Sequence, residues 1–117
     1  MRGVLAAVAA IALGLVLASG AQAATSGGCD RACLTGFIDR YMTALVAHDP
    51  HQLPLADHVR FTENGQTLQL GDGLWGAIEA REGYTLDFVD PQAGEVGAFI
   101  TVRESGRHQI LGLRPTA

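Results

Sequence analysis

Three side chains in this 117-residue sequence stand out for chemistry: the carboxylate of Glu63, the phenol of Tyr41 and the single tryptophan, Trp75. Alternation along a strand puts Glu63 on the face of Val59 and Phe61, with His58, Arg60 and Thr62 on the other face. A carboxylate turned toward apolar neighbours takes up a proton readily, which suits proton abstraction. The competing reading leaves Glu63 solvated at a hairpin mouth, flanking Asn64-Gly65. Tyr41 lies on the apolar stripe of a helix, as a core aromatic whose hydroxyl reaches a backbone acceptor. Trp75, within Gly73-Leu74-Trp75-Gly76, reads either as a core plug or as the wall of a pocket. His108 shares a strand face with Ile110, which makes it either a surface residue or a pocket acid or base. Together Tyr41, Phe61, Glu63, Trp75 and His108 describe the mixed apolar and polar lining typical of a cavity for a small organic molecule.

Other chemistries find little footing. His48 and His51 are three residues apart but divided by Pro50, and no third ligand is placed beside them, so no metal site is expected. No nucleophile elbow, phosphate loop or dinucleotide fingerprint is present, so no cofactor is expected. Cys29 and Cys33 stand at a C-x3-C spacing. One helical turn brings their α-carbons within bridging range, and a local disulfide pinning the start of a helix is expected. A thioredoxin-type redox pair would want C-x-x-C, while an intermolecular bridge or free thiols are the remaining alternatives.

Address is read from the beginning of the chain. Arg2, the apolar run over residues 4–18 and the small-x-small motif Ala21-Gln22-Ala23 have the layout of a secretory signal peptide over residues 1–23. The run falls short of the roughly 20 residues that span a bilayer, which argues against an uncleaved anchor. The expected mature protein is secreted or periplasmic, with a linker over residues 24–28 and a single domain over residues 29–117. It carries seven arginines, no lysine and twelve acidic residues. That balance argues against nucleic acid or anionic membrane as a partner, since both require clustered cations.

The elements that must position these side chains follow from periodicity. Leu34, Phe37, Ile38, Tyr41 and Leu45 recur at three- and four-residue steps, predicting an amphipathic helix of about five turns over residues 30–48. Asp30 is its N-cap and Asp49-Pro50 its stop, while Gly36 in its interior suggests close packing. After a short turn over residues 51–56 the period changes to two. Asn64-Gly65 then predicts a type I′ hairpin between a strand ending at Glu63 and one over residues 66–70. Asp72 is expected to cap a short helix ending at Ile78. Strands follow over residues 84–89, 95–104 and 107–114, joined by turn chemistry at Asp90-Pro91-Gln92-Ala93-Gly94 and Ser105-Gly106. The expected fold class is α+β, a long N-terminal helix laid across one face of a curved antiparallel sheet.

Asp49, the stretch Arg60-Phe61-Thr62-Glu63-Asn64-Gly65-Gln66 and Gly71-Asp72-Gly73-Leu74-Trp75-Gly76 together resemble the nuclear transport factor 2-like superfamily, which includes SnoaL-like cyclases and ketosteroid isomerase. Cys29-Asp30-Arg31-Ala32-Cys33-Leu34 and His48-Asp49-Pro50 are similar to a secreted bacterial and fungal subgroup. The resemblance implies a cone-shaped domain, with Glu63 as general base and Tyr41 as donor to a developing oxyanion. It also implies a homodimer, because sheet-to-sheet association is common in that superfamily. Such domains usually continue into one more strand, whereas this sequence ends at Arg114-Pro115-Thr116-Ala117; either the final strand is missing, leaving an exposed edge over residues 107–114, or a partner chain covers that edge. Three functions are compatible: a carrier of a small apolar molecule, a cofactor-free isomerase, lyase or cyclase, and a dimerising module without a ligand.

Overall fold

The computed structural model describes residues 28–116. The leader, and all but the last residue of the linker, fall outside these.

A helix (α1, Arg31–Val46) opens the domain. Asp30 caps it, its carboxylate accepting from the Cys33 amide at 2.9 Å. Cys29 and Cys33 form a disulfide across this first turn, with α-carbons 5.2 Å apart. Beyond Val46 the chain turns out of the helix, and His48 takes a positive φ of 56°. Asp49 then caps a short 3-10 turn, Pro50–Gln52, through the His51 amide. The helix is thus a little shorter than its apolar period suggests. Gly36 has nothing within 4 Å of the position a Cβ would take, so the close packing expected of it is absent.

The first hairpin (β1, Phe61–Glu63; β2, Gln66–Leu68) is shorter at its open end than the alternation predicts, while its turn end falls where expected. Its turn has the expected chemistry: Asn64 and Gly65 have φ of 49° and 79°, the positive pair a type I′ turn requires. Residues 58–60, which alternation assigns to the strand, lie outside it and are exposed. A helical turn (α2, Leu74–Ala77) leads directly into a long strand (β3, Ile78–Asp90). Ile78 therefore begins this strand, where the sequence places a helix end, and the ladder starts six residues before Tyr84. Register slips between Ile78 and Ala80 and between Arg81 and Thr85 explain the discrepancy, because irregular pairing there breaks the period of two.

Two further strands (β4, Glu95–Glu104; β5, Arg107–Leu113) complete an antiparallel meander in the order β3-β4-β5. The Asp90 carboxylate accepts from the Gln92 and Ala93 amides and shapes the first connection. Ser105 and Gly106, with φ of 49° and 71°, make the second. The class is α+β, a helix with antiparallel sheets. The strands form two separate sheets among the described residues, since β1–β2 shares no ladder with the meander.

The core lies between α1 and the inner face of the meander. From the helix, Leu34, Ile38, Met42, Ala44 and Leu45 are buried; from β4, every second residue, Val96, Ala98, Ile100 and Val102. Ile78 and Trp75 complete it.

Candidate functional site

Phe37 and Tyr41 sit beside the buried stripe of α1 and are only half buried. They border an open cleft of about 1180 Å³ between α1, the segment over residues 53–64, α2 and the β4–β5 hairpin. Its apolar wall includes Leu45, Leu53, Phe61, Leu74, Val102 and Leu111. Consecutive residues of β1 (61–63) and of β5 (109–113) line it, which is how a strand presents its edge; a face would contribute every second residue. The rim is therefore backbone N–H and C=O, and the wall is hydrocarbon.

Of the residues singled out from the sequence, Tyr41, Phe61, Glu63 and Trp75 all line this cleft. Trp75 is 1% exposed and anchors α2 to α1 in two ways. Its indole N–H donates to the Tyr41 hydroxyl at 3.0 Å, and its carbonyl accepts from the His48 Nδ1–H. The Tyr41 and Trp75 rings meet edge to face with centroids 5.3 Å apart. Because the hydroxyl oxygen is the acceptor for the indole, its own proton is left to donate to a molecule in the cleft. Burial raises the Tyr41 pKa above the ordinary 10.0; the Trp75 hydrogen bond opposes this, and the nearby Glu63 charge adds to it. The phenol thus stays a neutral donor at physiological pH.

Glu63 is neither buried among apolar groups nor solvated at the hairpin mouth. It is half buried, and both carboxylate oxygens approach the Leu74 amide, at 3.2 and 3.1 Å. It caps α2 from a neighbouring hairpin, the task expected of Asp72, whose side chain makes no such bond. Gly73 makes this possible. Its φ is 63°, and a Cβ there would lie 1.8 Å from Glu63 Oε2. The Gly71-Asp72-Gly73 motif is legible as a turn, but its reason is the carboxylate ten residues earlier in the chain.

His108 lies apart from this group. It projects on the outer face of the sheet, where its Nδ1 pairs with the Glu82 carboxylate at 2.8 Å. His48, which the sequence weighs only as a metal ligand, instead fastens α1 to α2. Nothing in the spacing of His48 and Trp75, 27 residues apart, foretells that bond.

In comparisons with known proteins no family model matches the chain, and neither does any curated protein or solved structure. The reading of the cleft rests on its chemistry alone. It combines a hydrocarbon wall, a phenol donor, an anchored carboxylate and a rim of strand edges. No helix among the described residues is long and apolar enough to cross a membrane.

Proposed function

We propose that the cleft binds a small, largely apolar organic molecule carrying one hydrogen-bond acceptor, which the Tyr41 hydroxyl receives. The observation that carries this is the coincidence, in one open cleft, of the apolar wall with the unspent Tyr41 proton. The Cys29–Cys33 disulfide supports placing this activity in an oxidising compartment, as the leader-like residues 1–23 imply. The order helix, hairpin, short helix, three-stranded meander supports kinship with nuclear transport factor 2-like domains, the cone shape being part of the same proposal.

Native mass spectrometry of protein recovered from its own host is the test. A retained organic mass, lost on substituting Tyr41→Phe together with Phe61→Ala, is expected. Protein without any adduct that also fails to bind 1-anilinonaphthalene-8-sulfonate would refute the reading. Trp75, the sole tryptophan, lines the cleft and reports occupancy by its own fluorescence.

One observation favours a second reading, a cofactor-free isomerase, lyase or cyclase. Tyr41 and Glu63 border the same cleft closely enough for the Glu63 charge to act on the phenol. Glu63 would remove a proton from carbon next to a carbonyl while Tyr41 donates to the resulting oxyanion. Glu63→Gln keeps an oxygen for the Leu74 amide but cannot take up the proton. Turnover should vanish while affinity stays within about a few-fold; unchanged turnover rules the role out.

A further inference from the structure

The edge of β5 opens into the cleft, and the register shows which of its backbone groups are unspent. Ala98, Ile100 and Val102, buried on the inner face, stand opposite Leu113, Leu111 and Gln109. His108, Ile110 and Gly112 therefore hold outer-face positions. The two-residue turn at Ser105-Gly106 makes Glu104 and Arg107 a hydrogen-bonded pair. Bonded and non-bonded pairs then alternate, so Gln109, Leu111 and Leu113 spend their N–H and C=O on β4. Those of His108, Ile110 and Gly112 point the other way, and no described residue pairs with them. Ile110 and Gly112 nevertheless line the cleft, so what they offer it is backbone. The same count from the turn at Asn64-Gly65 leaves the Thr62 N–H and C=O directed away from β2, and Thr62 lines the opposite rim.

We infer that this rim takes up an extended peptide from another protein, which adds to β5 as a further strand. Three observations select that occupant. The first is spacing. Alternate residues of a strand recur about every 6.8 Å, and a row of paired donors and acceptors at that repeat is matched by another extended backbone. The second is width. Residues 109–113 run for about 17 Å beside a layer about 10 Å deep, so a cleft of about 1180 Å³ is about 7 Å across. Neighbouring strands stand about 4.8 Å apart, so a lone strand fits there and the edge of a folded second copy, with its own sheet behind it, does not. The third is the chemistry of the lining. Inward side chains of an added strand would meet Phe37, Leu45, Phe61 and Leu74, which favours apolar residues at alternate positions. Among the charged side chains lining the cleft, Glu63 is engaged by the Leu74 amide, Glu104 by Gln109 and Arg114 by Glu95. Arg60 is exposed and has no such partner among the described residues, which favours an acidic residue in the peptide. The inference does not depend on the small-molecule reading. It shares the cleft with it, so strand and small molecule should displace one another.

Fluorescence anisotropy of the protein as its host processes it tests the inference. The probe is a labelled, acetylated peptide of seven residues, the length of β5, alternating valine with threonine and carrying one glutamate. Saturable binding below about 1 mM is expected. Analogues N-methylated at every second residue, one for each phase, isolate the backbone; at least one should bind about tenfold more weakly. Amide exchange isolates the edge. In the free protein Ile110 and Gly112 should exchange fast and Leu111 slowly, and the peptide should slow the first two by about tenfold. Ile110→Pro deletes an N–H that β4 does not use, at an edge where proline is tolerated. It should lose the peptide while keeping the thermal transition of the parent; if it fails to fold, the N-methylated peptides and the exchange rates still decide. Absence of binding up to about 1 mM overturns the inference. So do N-methylated analogues that both bind like the parent peptide, or bound peptide that leaves Ile110 and Gly112 fast. Protection of those two amides without peptide overturns it as well, assigning the edge to the chain itself or, where it grows with protein concentration, to a second copy. Binding of 1-anilinonaphthalene-8-sulfonate but not of the peptide removes this inference alone, and the converse removes only the small-molecule reading.

Discussion

At the scale of single residues, Glu63 and Gly73 form one device. The carboxylate reaches the Leu74 amide only because Gly73 has neither a Cβ nor a negative φ. Gly73→Ala should cost at least about 2 kcal/mol, combining strain at positive φ with displacement of the carboxylate. Glu63→Ala should cost about 1–3 kcal/mol by leaving a half-buried amide without its partner. Urea denaturation measures both; if they share the device, the double variant should lose clearly less than the two single losses added together. Tyr41 carries a pH signature. Its pKa is raised in the folded state, so folding favours the protonated phenol. The corresponding stability is fully present below the ordinary tyrosine pKa of 10.0 and is lost as pH rises through the higher folded value. The urea midpoint should therefore fall as pH is raised through and above 10, and Tyr41→Phe should flatten that fall. A wild-type midpoint unchanged up to pH 11 would contradict it.

At the scale of elements, α1 is over-determined at its start and loose in its middle. The Asp30 cap and the disulfide both hold the first turn. The bridge closes a loop of only five residues, so replacing both cysteines by serine should cost no more than about 2 kcal/mol. Amide exchange should accelerate chiefly over the first helical turn. Gly36 has open space where a methyl group would stand, so Gly36→Ala should raise stability by up to about 1 kcal/mol through helix propensity alone. A lower melting temperature in that variant would mean that the glycine does serve close packing. β4 shows how far periodicity can be trusted. It is regular, its alternate residues Val96, Ala98, Ile100 and Val102 are buried, and its ends coincide with those expected. β3 slips register twice, and there alternation failed to locate the start of the strand.

At the scale of the whole molecule, two faces of one sheet behave oppositely. Ile100 is fully buried against α1, while Ile110 is 69% exposed on the outer face. Ile100→Ala should cost about 2–5 kcal/mol, a large part of what a domain of this size has in hand. Ile110→Ala should change stability by under about 0.5 kcal/mol. Equal costs in chemical denaturation at low concentration would mean that the register is misassigned. Much of this architecture was legible in the sequence, because it depends on near neighbours. The helix cap at Asp30, the type I′ turn at Asn64-Gly65, the Asp90 turn and the alternation of β4 are all set by residues within a few positions of one another. The apolar stripe of α1 named its buried face on the same ground. What only the tertiary structure decided is how distant segments meet. Trp75 joins Tyr41 and His48 across 34 and 27 residues, and Glu63 caps a helix eleven residues on. The ladder of the meander, and not His108 itself, carries that histidine away from the cleft. Such contacts depend on packing between elements, for which composition and local period carry no signal.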